Sequence, residues 1–149
     1  MNAKQVLEIF AEQGVIDHSQ MDDMLDEVNH TGKTVAQVMV DYQICDEMMF
    51  YQMIADALGA DFVNLEGFEP ALDVLRNIPA GLAILHKALP LGLDGKTLQV
   101  ALADPLNPQT AEELRFALDK DIQVVVAPTW QIEELIKKVQ EKKAEIVEK

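Results

Sequence analysis

Residues 88–105, ALPLGLDGKTLQVALADP, and residues 107–118, NPQTAEELRFAL, decide how the chain is read. Apolar runs on either side of Asp94-Gly95 predict a β-hairpin with a type I′ turn, because both central residues of that turn need positive φ and Asp-Gly supplies it. Asn107 is placed to cap a helix that starts at Pro108, a position where proline's missing N–H has no consequence. That helix turns Ala111, Leu114 and Leu118 inward. The same stretch holds Gly95-Lys96-Thr97, which imitates a phosphate-binding loop. In G-x-x-x-x-G-K-[ST] the first glycine lets backbone N–H groups close on phosphate, and a helix must follow. Here Pro90 occupies the first glycine's place and residues 98–102 continue as a strand. Gly32-Lys33-Thr34 fails likewise, with Glu27 in that place. Neither segment is an ATP site.

Working outward, residues 61–65 predict a short strand, 70–77 a short helix and 80–85 a further helical turn. Residues 87–93 and 96–102 form the hairpin, and 119–121 turn the chain. The β-branched run at 122–126 is a strand, and Thr129 caps a last helix with Ile132, Leu135, Ile136 and Val139 on one face. Strands alternating with helices predict a small α/β sandwich of three or four strands.

The first sixty residues are an internal repeat. A shift of 29 positions lays Val6, Ile9, Phe10 and Ala11 on Val35, Val38, Met39 and Val40. It also lays Ile16, Asp17, Met21, Met24 and Leu25 on Cys45, Asp46, Phe50, Met53 and Ile54. Each copy predicts a short helix, a tight connection and a longer helix. Met21, Met24, Leu25 and Val28 fall at helical spacing in the first copy, as do Phe50, Met53, Ile54 and Ala57 in the second. Asp17 and Asp46 are placed as N-caps, and Asp17 with Gln20 has capping-box spacing. Met21, Met24, Met39, Met49 and Met53 lie at or beside core-phase positions and are read as core filling. Cys45 stands where Ile16 stands in the first copy and is read as a small buried hydrophobe. The expected fold class is therefore α+β. A helical repeat subdomain of two helical hairpins (1–58) precedes an α/β subdomain (59–138), and 139–149 form a charged helix end or linker.

Composition narrows the function classes. With 26 Asp and Glu against 12 Lys and Arg, the net charge of −14 opposes binding to nucleic acid or an anionic membrane. The single cysteine leaves no internal disulfide framework and suits a reducing compartment. The chain has no apolar run of membrane-spanning length and no signal-peptide pattern at 1–20, so a cytoplasmic location without direct membrane insertion is expected. His18, His30 and His86 are scattered without metal-ligand spacing. Asp22-Asp23 and Asp26-Glu27 pair carboxylates on the outer face of a helix, where such groups are ordinarily solvated. Asp104-Pro105 sets the turn before the helix at Pro108. No catalytic constellation, metal site or cofactor site is expected, and no cofactor.

Gly59-Ala60-Asp61-Phe62-Val63-Asn64-Leu65, Ile78-Pro79, His86-Lys87-Ala88-Leu89-Pro90-Leu91, Ala101-Leu102-Ala103-Asp104-Pro105-Leu106 and Glu112-Glu113-Leu114-Arg115-Phe116 stand in this order. Together they resemble the N-terminal domain of the type II secretion and type IV pilus assembly ATPases. The preceding repeat is similar to that family's helical subdomain. The resemblance spans residues 4–138. It implies a non-catalytic docking or regulatory module, either part of a longer motor or free-standing. The partner it implies is a cytoplasmic protein or domain of an inner-membrane secretion or pilus platform, with location peripheral to that membrane.

Some members of the family bind cyclic di-GMP through the repeat, with Arg-Leu-Gly at the start of each copy and Gln at its end. This chain has Gln5-Val6-Leu7 and Thr34-Val35-Ala36 at the starts, and Val28 and Ala57 at the ends. Arginine grips phosphate or guanine in bidentate fashion, and glycine allows close backbone approach. Gln5, Leu7, Thr34 and Ala36 supply neither, and of the turn glycines Gly14 remains while its counterpart is Gln43. Arg76 and Arg115 lie outside the repeat. Cyclic di-GMP is expected to bind poorly, a sensor being the alternative function. The expected partner surface is acidic and helical, comprising Asp22, Asp23, Asp26, Glu27, Glu47 and Tyr51, with His86 as a further contact.

Overall fold

The computed structural model describes residues 2–148, and side-chain surroundings for residues 2–140. It divides into two compact units, Met1–Gly59 and Ala60–Lys149.

The first unit holds α1 (Ala3–Glu12), α2 (His18–Thr31), α3 (Val35–Asp41) and α4 (Glu47–Leu58). Turn and cap bonds of the first copy recur in the second. Val15 N–H donates to the Phe10 carbonyl as Ile44 N–H does to Met39, and Met21 N–H donates to Asp17 as Phe50 N–H does to Asp46. Asp17 caps α2 in a reciprocal capping box with Gln20, and Asp46 accepts from Met49 N–H at 2.7 Å. Gly32 ends α2 and Thr34 caps α3, which gives Gly32-Lys33-Thr34 a purely structural reason. Phe10 and Phe50 stack across the unit with ring centroids 5.3 Å apart.

Gly14 and Gln43 occupy the same left-handed turn in the two copies, at φ 75° and 61°. Glycine adopts this conformation freely, whereas a residue with Cβ is strained there. Gln43→Gly is therefore expected to stabilise the first unit by about 1 kcal/mol, read as a raised urea midpoint. A lowered midpoint would show that the Gln43 side chain contributes more than its backbone strain costs.

The core of the first unit departs from the expected stripe at four places. Met49 and Val40 are exposed, Ala57 is exposed, and Cys45 is only half-buried. Leu7, Ala36, Tyr51 and Ala55 are buried in their stead. Each neighbours a residue of the expected stripe, so the buried face is wider than a strict i, i+3, i+4 reading allows.

The second unit is built on a four-stranded sheet ordered β1-β4-β3-β2, from β1 (Asp61–Phe62), β2 (Ala88–Asp94), β3 (Thr97–Leu102) and β4 (Asp121–Val126). β2 and β3 are the antiparallel hairpin, while β4 runs parallel to both β3 and β1. Side chains alternate across the sheet. Leu89, Ala101 and Ala103 pack with Ile132, Ile136 and Val139 of α8 (Thr129–Glu148). On the other face Ala88, Leu98, Val100 and Leu102 pack with Leu114 of α7 (Pro108–Leu118) and with Ile78 and Ala83. Two short helices, α5 (Leu72–Leu75) and α6 (Ala80–His86), precede the hairpin. The expected charged end at 139–149 begins with the buried Val139, and its side chains from 141 onward lie outside the described residues.

Local chemistry corrects several sequence expectations. The strand expected at 61–65 ends at Phe62: Val63 N–H still donates to the Val126 carbonyl at 2.9 Å, but beyond it the Gln131 side chain, not a neighbouring strand, receives the Leu65 N–H at 2.8 Å. The helix expected at 70–77 shrinks to α5, since Ala71 offers no capping side chain and Asn77 Nδ2 closes the C-terminal end on the Asp73 and Val74 carbonyls. The hairpin pairs Asp94 with Thr97, so the central turn residues are Gly95-Lys96. Only Gly95 has positive φ, which rules out type I′ and matches the φ signs of type II′. Thr129 does not cap α8: the Pro128 carbonyl accepts from Gln131 and Ile132, and the Thr129 hydroxyl donates to the Ala103 carbonyl. Asn107, by contrast, caps α7 as expected, accepting from Gln109 N–H at 3.1 Å.

Candidate functional site

α2 carries the acidic surface. Its spacing places Asp22, Asp23 and Asp26 on the exposed face, and Glu27 is half-buried beside them. Tyr42, at the C-terminal end of α3, belongs to this surface although sequence reasoning passed over it. Partial desolvation, followed by the carboxylates of Glu27, Asp23 and Asp26, pushes its phenol above the usual tyrosine range. Close by, Lys33 pairs with Asp41 at 2.8 Å, a hydrogen bond that also raises the lysine. The only signal in the sequence was an aromatic residue one step past an apolar helix, in a copy where its counterpart is Gln13.

The other expected surface residues lie on other elements. Glu47 is half-buried in the first turn of α4. Tyr51 is buried at 6% exposure with its ring edge-on to Phe50, which removes it as a contact. His86 belongs to the second unit, where its Nε2 lies 3.4 Å from Glu113 Oε2 and its side chain is largely covered. A large apolar residue the pattern left unassigned, Phe116, projects from α7 at 91% exposure.

The repeat-start positions are occupied by packing. Leu7 is fully buried and Ala36 is 7% exposed, while Gln5 is exposed and Thr34 is spent on capping α3. Leu7 stands three residues before Phe10, as Ala36 does before Met39, so helical periodicity alone contains the signal for their burial. The Cys45 thiol is pushed up by desolvation and then by Asp46, the direction opposite to that of a reactive thiolate. Among the described residues no group of His, Cys, Asp and Glu is arranged to hold a metal ion, and no helix is long and apolar enough to cross a membrane.

Comparison with known proteins places these features. Residues 58–146 match the family model of the MshEN domain. The type IV pilus assembly ATPase PilB of Myxococcus xanthus is 24% identical over 131 residues, which is 88% of this chain and 23% of that protein. PilB of Thermus thermophilus is 29% identical over 103 residues, 68% of this chain and 12% of that protein. The chain thus spans less than a quarter of the length of these relatives. Among solved structures, MshE with cdg, its cyclic di-GMP ligand, aligns at TM-score 0.72 and 22% identity, covering 89% of this chain and 96% of that one. The N-terminal domain of XpsE aligns at TM-score 0.61 and 17% identity, covering 92% and 95%. These likenesses establish the fold. The MshE structure leaves the expectation against cyclic di-GMP without support from comparison. By the family match over more than half its length, the chain belongs to the MshEN domain family, the N-terminal domain class of type II secretion and type IV pilus assembly ATPases.

Proposed function

We propose that this domain is a non-catalytic docking module of a pilus or secretion motor, engaging a basic segment on the cytoplasmic side of an inner-membrane platform. The observation that carries the reading is the concentration of charge. Residues 1–59 contain two lysines, no arginine and eleven Asp or Glu. Asp22, Asp23 and Asp26 lie exposed on α2, with Glu27 beside them and Tyr42 as an amphipathic contact. A like-signed field of this kind accelerates encounter with a cationic partner and rejects anionic ones.

Nucleotide sensing is the second reading, favoured by the likeness to MshE with cdg. Against it, Leu7 and Ala36 are committed to the interior of the first unit, and the repeat holds no arginine to meet a phosphate. Calorimetry with cyclic di-GMP, alongside pull-down of candidate platform components at low and high salt, separates the readings. Docking predicts capture that weakens with salt and with Asp23→Asn/Asp26→Asn, and no nucleotide heat. Cyclic di-GMP binding with Kd of about 1 μM or tighter would replace docking by sensing.

A further inference from the structure

In the second unit, α7 buries one side and exposes the other. Thr110, Ala111 and Leu114 are buried, whereas Glu112, Glu113 and Phe116 project into solvent. At 91% exposure Phe116 is the most exposed large apolar side chain among the described residues, so its ring adds nothing to the core. A single exposed apolar residue is ordinary, but here the surrounding charge gives it a direction. Glu112 and Glu113 stand four and three residues before it, the spacing at which helix side chains meet.

That charge has one sign. Arg115, the one Lys or Arg of α7, donates through Nη2 to the Ile122 carbonyl at 3.4 Å and is turned toward β4. Lys120 lies past the helix end, half-buried in the turn to β4. Glu112 makes no ion pair among the described residues. Glu113 Oε2 has His86 Nε2 at 3.4 Å, yet the carboxylate keeps most of its surface in water. Asp119, exposed at the C-terminal end of α7, adds a third carboxylate. The His86–Glu113 contact also holds the end of α6 beside this turn of α7, and with it Leu85, which is 72% exposed. A guanidinium answers both features of the surface. Its plane stacks on an aromatic face and its fork donates to carboxylates, which an ammonium does less well.

We infer that the outer face of α7 is a docking surface for a cationic, partly apolar segment of a partner protein, which lays an arginine across the Phe116 ring within reach of Glu112 and Glu113 and sets an aliphatic side chain against Leu85. This goes beyond the docking reading above, which rests on α2 in the other unit. There charge alone admits any cation; here an aromatic anchor selects arginine.

The test uses the full chain, isotopically labelled, titrated with three synthetic peptides that share their leucines and differ only in carrying Arg, Lys or Glu at the charged positions. The Arg peptide is expected to move the amides around Glu112, Glu113 and Phe116 and to bind there about two- to fivefold more tightly than the Lys peptide, the worth of a guanidinium on an exposed ring. The Glu peptide is expected not to bind. Phe116→Ala is expected to weaken the Arg peptide about tenfold with an unchanged urea midpoint, since the ring is outside the core. Phe116→Leu, which keeps apolar bulk without a π face, is expected to erase the preference for Arg over Lys. The proposal is overturned if the Lys or Glu peptide binds α7 as tightly as the Arg peptide, if the Arg peptide binds elsewhere or not at all, or if Phe116→Ala leaves its affinity intact. Self-association of the free chain that Phe116→Ala abolishes would overturn it too, by assigning the surface to a second copy. Movement of α2 amides, and its loss in Asp23→Asn/Asp26→Asn, bears on the basic-partner reading alone, so each reading can fail without the other.

Discussion

Phe50→Ala is expected to destabilise the first unit by about 3–5 kcal/mol, the usual cost of emptying a buried aromatic site. Phe50 is 1% exposed, stacks on Phe10 at 5.3 Å and meets Tyr51 edge-on at 5.0 Å, so one truncation removes two ring contacts and opens a void. A unit of this size has roughly 3–9 kcal/mol of stability to lose. Hydrogen exchange at α4 amides should accelerate by roughly two to nearly four orders of magnitude, at 1.4 kcal/mol per tenfold. An acceleration below about tenfold would mean that the helices collapse onto the vacated space and that the aromatic stack is not what holds the repeats together.

Gln131→Leu is expected to cost about 1–3 kcal/mol, although it keeps nearly the same volume. Gln131 is 5% exposed at the start of α8; its Oε1 accepts the Leu65 N–H at 2.8 Å and its Nε2 donates to Asn64 Oδ1 at 3.1 Å. Asn64 Oδ1 retains the Glu66 N–H at 3.0 Å, so the loss falls on the buried Leu65 donor. The measurement is a urea midpoint together with exchange of the Leu65 amide. Unchanged stability would show that Leu65 N–H finds another acceptor and that the side chain is not the tie between this loop and α8.

Gln131 also shows where sequence reading reached its limit. The repeat, the caps at Asp17, Asp46 and Asn107, the hairpin and the inward faces of α7 and α8 were legible because each rests on local spacing. The end of β1 was not, because it depends on a side chain that meets residue 65 only after the chain has folded. The turn type was misjudged because the hairpin register, set by pairing along both strands, moved the central residues from Asp94-Gly95 to Gly95-Lys96. At the candidate surface the carboxylates of α2 were legible from a run of charge. The burial of Tyr51 was not, since a tyrosine fits an interior or a surface equally and packing decides. Ile84 and Leu85 escaped for a related reason: they read as part of an apolar helical turn, and only packing decides that both stay exposed.

The parallel pairing of β1 with β4, Asp61 beside Val125 and Phe62 beside Val126, bears on how the chain is made. Synthesis delivers the first four helices early, and short turns join each to the next, so their folding needs nothing still inside the ribosome. β1 emerges next and finds no neighbour. The hairpin of β2 and β3 can close locally, but β1 must wait for β4, whose strand is made only after α7. During that interval the half-built second unit exposes apolar strand faces, and translation pauses before Asp121 would lengthen its exposure to aggregation.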